Sequence, residues 1–165
     1  MADDTKYWTT VGSTGTLSAA DLAKVSLNGA VIQLGTGIAL PAAAAEDPSI
    51  ITRQMSAVVR YNITPVDGLF VTGGLYVYIL QVRFRGTVSG RLVQFDLSSG
   101  TETDLAQFDR SSPDFTTEYT ETAVETVLDF VNCAYYVEAT LTASATVVGN
   151  PAEIAAIKVY PSFNF

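Results

Sequence analysis

Along much of this chain apolar and polar residues alternate position by position. In the stretch LYVYILQVRFRG, Leu75 to Gly86, the residues Leu80, Val82 and Phe84 fall on one side and Gln81, Arg83 and Arg85 on the other. A period of two is the pattern of a strand with one buried and one wet face. The first half of the stretch breaks that pattern. Leu75, Tyr76, Val77, Tyr78 and Ile79 are apolar or amphipathic on both sides. That predicts a segment covered twice, either by the Ala39–Ser49 connection or the N-terminal strand, or by a neighbouring subunit.

The same reading predicts further strands. Tyr7–Val11 comes first, closed by the turn at Gly12 to Gly15, and Ala30–Leu34 follows. In Met55–Ile63 the residues Val59, Tyr61 and Ile63 share a face opposite Val58, Arg60 and Asn62. Leu69–Val71 is a brief segment between the Asp67-Gly68 turn and the Gly73-Gly74 break. Arg91–Leu97 is predicted with Val93, Phe95 and Leu97 inward and Gln94 and Asp96 outward, and SSGTET turns it into Asp104–Phe108 as a hairpin. Tyr119–Phe130, Tyr135–Thr142 and Ile154–Tyr160 complete the set. In Tyr135–Thr142, Tyr135, Val137, Ala139 and Leu141 oppose Tyr136, Glu138, Thr140 and Thr142. LSAADLAKV forms either one helical turn, with Ser18 as N-cap and Asp21 three residues on, or a loop. Ala39–Ser49, bracketed by Pro41 and Pro48, and Asp109–Glu118 are expected as exposed connections.

About eight to ten short strands separated by Gly, Pro, Ser and Asp clusters, with no helix of consequence, predict an all-β chain. The expected fold is an antiparallel two-sheet β-sandwich, jelly-roll-like, with an immunoglobulin-like sandwich as the alternative. One domain spanning residues 1–165 is expected, with residues 1–15 available as an extended N-terminal strand or arm used in assembly. No internal repeat is visible, which argues against propellers and solenoids.

Three phrases, YWTTVGSTGTLSAADLAKV, VRFRGTVSGRLVQFDLSSGTETDLAQFD and LDFVNCAYYVEATLTAS with NPAEIAAIKVY, resemble a group of uncharacterised single-domain bacterial β-sandwich proteins. The likeness covers most of the chain and lies in turns and core positions. It implies the sandwich and carries no catalytic residues.

Composition narrows the chemistry. The chain is 48% hydrophobic and only 16% charged, which leaves much of the surface to Ser, Thr, Ala and Gly. That surface suits an extracellular or virion assembly. The start, MADDTKYWTT, shows no signal peptide, and Met1 is either native or supplied after removal of one. A net charge of −8 and the lack of a basic stripe argue against nucleic acid as a partner. No apolar run is long enough for a membrane span. There is no histidine, and Cys133 is the single cysteine, so thiol–histidine nucleophiles, intramolecular disulfides and multi-cysteine metal sites are excluded. Asp96, Asp104, Asp109, Asp114 and Asp129 are the carboxylates that could meet as a hydrolytic pair, but most sit at turns, where Asp accepts backbone hydrogen bonds. DLSSGTETD departs from a calcium loop at its third and fifth positions. No catalytic residue, metal or cofactor is assigned, and the chain is read as a non-enzyme.

The aromatics remain. Trp8, Tyr76, Tyr78 and Tyr136 lie in predicted strands, and the tail PSFNF ends in Phe163 and Phe165. Amphipathic rings on a sheet face serve as core, as protein interface or as stacking platforms for sugars. The first expectation is a structural subunit that assembles with copies of itself into an oligomer or filament, through these residues and the apolar ends. The alternative is a carbohydrate-binding module that takes a glycan on an aromatic sheet face.

Overall fold

The computed structural model describes residues 7–35, 55–65, 75–143 and 151–162. Among them are nine strands and little else. They are β1 (Trp8–Val11), β2 (Thr16–Leu17), β3 (Val25–Asn28), β4 (Val31–Leu34), β5 (Met55–Ile63), β6 (Val77–Asp96), β7 (Glu102–Glu121), β8 (Cys133–Ala143) and β9 (Glu153–Ser162). The only α-helical turn among the described residues, α1 (Ala19–Leu22), starts where the Ser18 hydroxyl accepts the Asp21 N–H at 3.1 Å, as the N-cap pattern predicts.

β6 organises everything else. Its first half pairs with β9, from Val77↔Ser162 to Arg85↔Glu153, and its second half pairs with β8, from Thr87↔Thr142 to Asp96↔Cys133. β7 runs along the opposite edge of both halves. Beyond β9 lie β1 and β4, and β3 pairs with β4; beyond β8 lie β5 and then β2. Every one of these pairings is antiparallel. Leu80, Val82 and Phe84 from the first half join Val88, Leu92, Val137 and Leu141 from the second in one buried cluster. Residues on one face of a single sheet can meet that way only if the sheet folds over on itself. The result is the jelly-roll-like sandwich, with a β9 half-sheet and a β8 half-sheet.

Gly86 marks the fold line. Its φ of 78° suits a residue without Cβ, and a Cβ there would stand 2.6 Å from the Ala152 Cα. Opposite it, β7 sets three residues, Pro113 to Phe115, against the single Arg85 of β6, between Ser112↔Gly86 and Thr116↔Phe84. Gly90 keeps the core thin where the Phe108 ring lies over it; a Cβ would come within 2.5 Å of that ring.

The core faces of β5 and β8 match the alternation. Val59, Tyr61 and Ile63, and Tyr135, Val137, Ala139 and Leu141, are all buried. Other expectations need correction. Arg91–Leu97 is no separate strand, because β6 is continuous and keeps the parity set by Leu80, Val82 and Phe84 through Gly86 and Gly90. Leu92 therefore joins the core cluster, Val93 is fully buried but outside that cluster, beside Tyr136, and Leu97 is 57% exposed. Asp109–Glu118, expected as a loop, belongs to β7, whose bulge absorbs Pro113. Tyr119–Phe130 stops being strand at Glu121. Val25–Asn28, not predicted, is a strand.

At the centre of the doubly apolar Leu75–Ile79 segment the cover comes from the chain itself, while Leu75 stays 61% exposed. Tyr78 points into the core at 1% exposure, and residues 122–128 strap across it. Thr122 N donates to Tyr78 O at 2.8 Å, Tyr78 N donates to Thr122 Oγ1 at 3.1 Å, and Tyr76 and Thr126 exchange backbone bonds at 3.1 and 2.9 Å. Leu128 closes the strap into the core. Ala39–Ser49, Leu69–Val71 and the Gly73-Gly74 break lie outside the described residues.

Candidate functional site

Of the aromatics singled out from the sequence, Trp8 and Tyr78 are core residues, and Tyr76 is half-buried against the core, its ring 6.4 Å from that of Tyr78. Burial pushes the Tyr78 hydroxyl up to about 12, with Tyr76 adding to the shift. Phe163 and Phe165 lie outside the described residues. Tyr136 is buried at 8% exposure but lies outside the core cluster, on the outer face of the β8 half-sheet.

That outer face is a network of matched charges. Across the strands, Arg60 stands beside Glu138 and Glu138 beside Arg91. Arg60 Nε donates to Glu138 Oε2 at 2.6 Å, and Arg91 Nε to Glu138 Oε1 at 2.9 Å. Arg91 also reaches Asp104 at 2.9 Å and Glu102 at 3.1 Å. Tyr136 donates its hydroxyl to Glu102 at 2.5 Å, and the Arg60 guanidinium lies 5.1 Å over its ring. Burial and the bond to Glu102 hold the Tyr136 hydroxyl up at about 12. Burial alone would raise the Glu138 carboxyl, yet the hydrogen bonds from Arg60 and Arg91 leave it below its usual range. Beside this network is an open depression of about 490 Å³, lined by Ser89, Gln107, Asp109, Arg110 and Thr140 together with Arg91 and Glu138.

The outer face of the β9 half-sheet is built differently. Register places Thr9, Lys158, Gln81 and Tyr119 in one row across β1, β9, β6 and β7. The row on one side holds Tyr160, Ile79 and Glu121, and the row on the other holds Val11, Ala156, Arg83 and Thr117. Tyr119 is 59% exposed and Tyr7, just ahead of β1, 42%. Lys158 Nζ sits between two rings, 4.2 Å from the centre of Tyr7 and 4.8 Å from that of Tyr160. Phe115, from the β7 bulge, lies under Arg85 at 5.0 Å and Arg83 at 5.8 Å. Burial, with Tyr119 and Glu121 nearby, raises the Tyr160 hydroxyl above its ordinary value. Tyr7, Tyr119, Tyr160 and Phe115 thus make an aromatic face that the sequence reading did not pick out. The signal was present in IKVY: Ile157 and Val159 alternate with Lys158 and Tyr160.

Two of the candidate carboxylates, Asp96 and Asp129, close turns. Asp96 accepts from Ser98 N at 2.8 Å, Ser98 Oγ at 2.7 Å and Ser99 N at 2.9 Å, and these bonds, led by the Ser98 hydroxyl, hold it down at about 2. Asp129 accepts from Asn132 Nδ2 at 2.7 Å and Val131 N at 2.9 Å, closing the turn into β8. Cys133 is buried, with Gln94 Nε2 3.3 Å from its sulfur. No group of three or more metal-ligating side chains is found among the described residues, and no helix among them is long and apolar enough to cross a membrane.

No family model matches the chain, and no curated protein does. Among solved structures it is similar to the carbohydrate-binding module TmCBM61 in complex with beta-1,4-galactotriose. That match has TM-score 0.43 and 9% identity, over 96% of this chain and 90% of the other. It is similar as well to a xylan-binding domain from CBM 22, with TM-score 0.39 and 10% identity over 99% and 92% of the two chains. A mannan binding module from Man5C matches with TM-score 0.32 and 13% identity, over 94% and 97%.

Proposed function

We propose that this chain is a non-catalytic glycan-binding β-sandwich whose binding surface is the outer face of the β9 half-sheet. The observation that carries the reading is the exposure of Tyr119 and Tyr7 beside Tyr160 on one strand-built face, interleaved with Gln81, Thr9 and Thr117. A pyranose ring has an apolar C–H face and a rim of hydroxyls. Aromatic rings suit the first, and amide and hydroxyl groups between them suit the second. The β8 half-sheet offers its polar groups mostly to one another.

Two features weigh against the self-assembly expectation. The N-terminal strand β1 seats on β9 of the same molecule, from Trp8↔Val159 to Val11↔Ala156, so the strand expected to reach a neighbour is used at home. Among the described strands β7 pairs with β6 alone, and it carries Pro113, a bulge and many charges, devices that discourage edge-to-edge pairing.

The test is titration calorimetry against a panel of soluble oligosaccharides, with Tyr119→Ala and Tyr160→Ala as variants. Binding by the parent chain should fall about tenfold or more in each variant. A parent chain that takes no glycan, or variants that bind as well as the parent, would overturn the reading.

A further inference from the structure

On a chain with seventeen acidic and nine basic residues, cations should find carboxylates readily. Lys24, Arg60, Arg85, Arg91 and Arg110 each do. Among the described residues Lys158 and Arg83 do not, and both stand on the aromatic face. They are diagonal neighbours, since Lys158 lies opposite Gln81 and Arg83 is two residues further along β6. Each is steadied by rings rather than by an anion: Lys158 by Tyr7 and Tyr160, Arg83 by Phe115. A cation–π contact orients a charge without neutralising it. Among the described residues Glu121 stands opposite Ile79, in the row beyond Lys158, and Glu153 stands opposite Arg85, in the row beyond Arg83. Glu153, further down the face, is already held by Arg85 at 2.9 Å.

We infer that the glycan taken by this face is an acidic one, a chain of uronate sugars, with Lys158 and Arg83 meeting its carboxylates while Tyr119 and Tyr160 carry its rings. The inference rests on the glycan-binding reading above. Charge complementarity selects an anion, and the whole molecule selects its density. At a net charge of −8 the protein repels strongly charged polyanions from a distance. Two local cations suit a ligand with one charge per sugar, and the planar guanidinium of Arg83 matches a carboxylate.

The experiment compares matched probes by calorimetry: oligogalacturonate against galacto-oligosaccharide, and oligomannuronate against manno-oligosaccharide. Each pair is measured at about 20 mM and about 300 mM salt, a range over which screening shortens several-fold. At least one uronate should bind about tenfold tighter than its neutral partner at low salt, and the preference should shrink at high salt. Lys158→Gln and Arg83→Gln should each weaken uronate binding several-fold more than they weaken binding of the neutral partner. Tyr119→Ala should weaken both classes. Thermal melts of all three variants report that they fold. Equal affinity for neutral and acidic partners overturns the inference and leaves the glycan reading standing, whereas failure of every probe to bind overturns both. Tighter binding of a sulfated galactan than of either uronate would overturn the carboxylate assignment. So would a dimer seen by light scattering and abolished by Lys158→Gln, which would give the face to a second copy.

Discussion

The two outer faces of this sandwich share their central strand, β6, and the same alternation of inward and outward residues, yet they treat charge in opposite ways. On the β8 half-sheet Arg60 and Arg91 are surrounded by Glu138, Glu102 and Asp104, and even Tyr136 is drawn into the network. On the β9 half-sheet Lys158 and Arg83 face aromatic rings. A satisfied network holds strands in register and has little left to offer a ligand. An unmatched cation beside an exposed ring contributes little to the fold and remains available. On the proposed reading the difference separates a face that serves stability from one that serves binding.

The comparison depends first on the fold line that keeps the faces apart. Gly86→Val should cost more than about 3 kcal/mol, through a disfavoured positive φ and overlap with Ala152, and a urea melt with an unchanged midpoint would show the turn to be adaptable. Next come the cations themselves. Arg91→Ala leaves Glu138, Glu102 and Asp104 short of a partner and should destabilise by about 2 kcal/mol. Lys158→Ala should stay within about 0.5 kcal/mol of the parent. Equal losses in the two variants would erase the contrast. Tyr119→Ala should lower glycan affinity about tenfold, equivalent to about 1.4 kcal/mol, with the same thermal midpoint as the parent. If the midpoint falls with the affinity, the ring is structural.

The smallest expected effect concerns acid. Glu138 and Asp96 are both held below their ordinary ranges, so the stability they contribute is present above those ranges and lost as pH falls through the folded values. For Asp96 the window runs from 3.8 down to about 2. Thermal midpoints should therefore be level near neutrality and decline below about pH 4.5, with Asp96→Asn flattening the last part of the fall. A decline equally steep in that variant would remove Asp96 from the account.

Much of the fold was legible because alternation records which side of a strand is buried. Val59, Tyr61 and Ile63, or Val137, Ala139 and Leu141, could be sorted from one strand alone. The Ser18 cap was equally local. Arg91–Leu97 went astray because parity there is inherited from Leu80 through two glycines, and Val93 looks as apolar as Leu92. The candidate site was harder still. Tyr119, Lys158, Gln81 and Thr9 are scattered over four strands, and only register brings them into one row. Tyr78 and Trp8 illustrate the converse, since an amphipathic ring in a strand carries no label saying whether it faces water or the interior.

The hairpin of β6 and β7, closed by the tight Asp96–Thr101 tip, belongs to both layers at once. Neither layer could be excised as a smaller folded piece, because β6 and β7 run through both. Melting should accordingly be a single all-or-none event, and fragment complementation should succeed only when one of the pieces retains that hairpin whole.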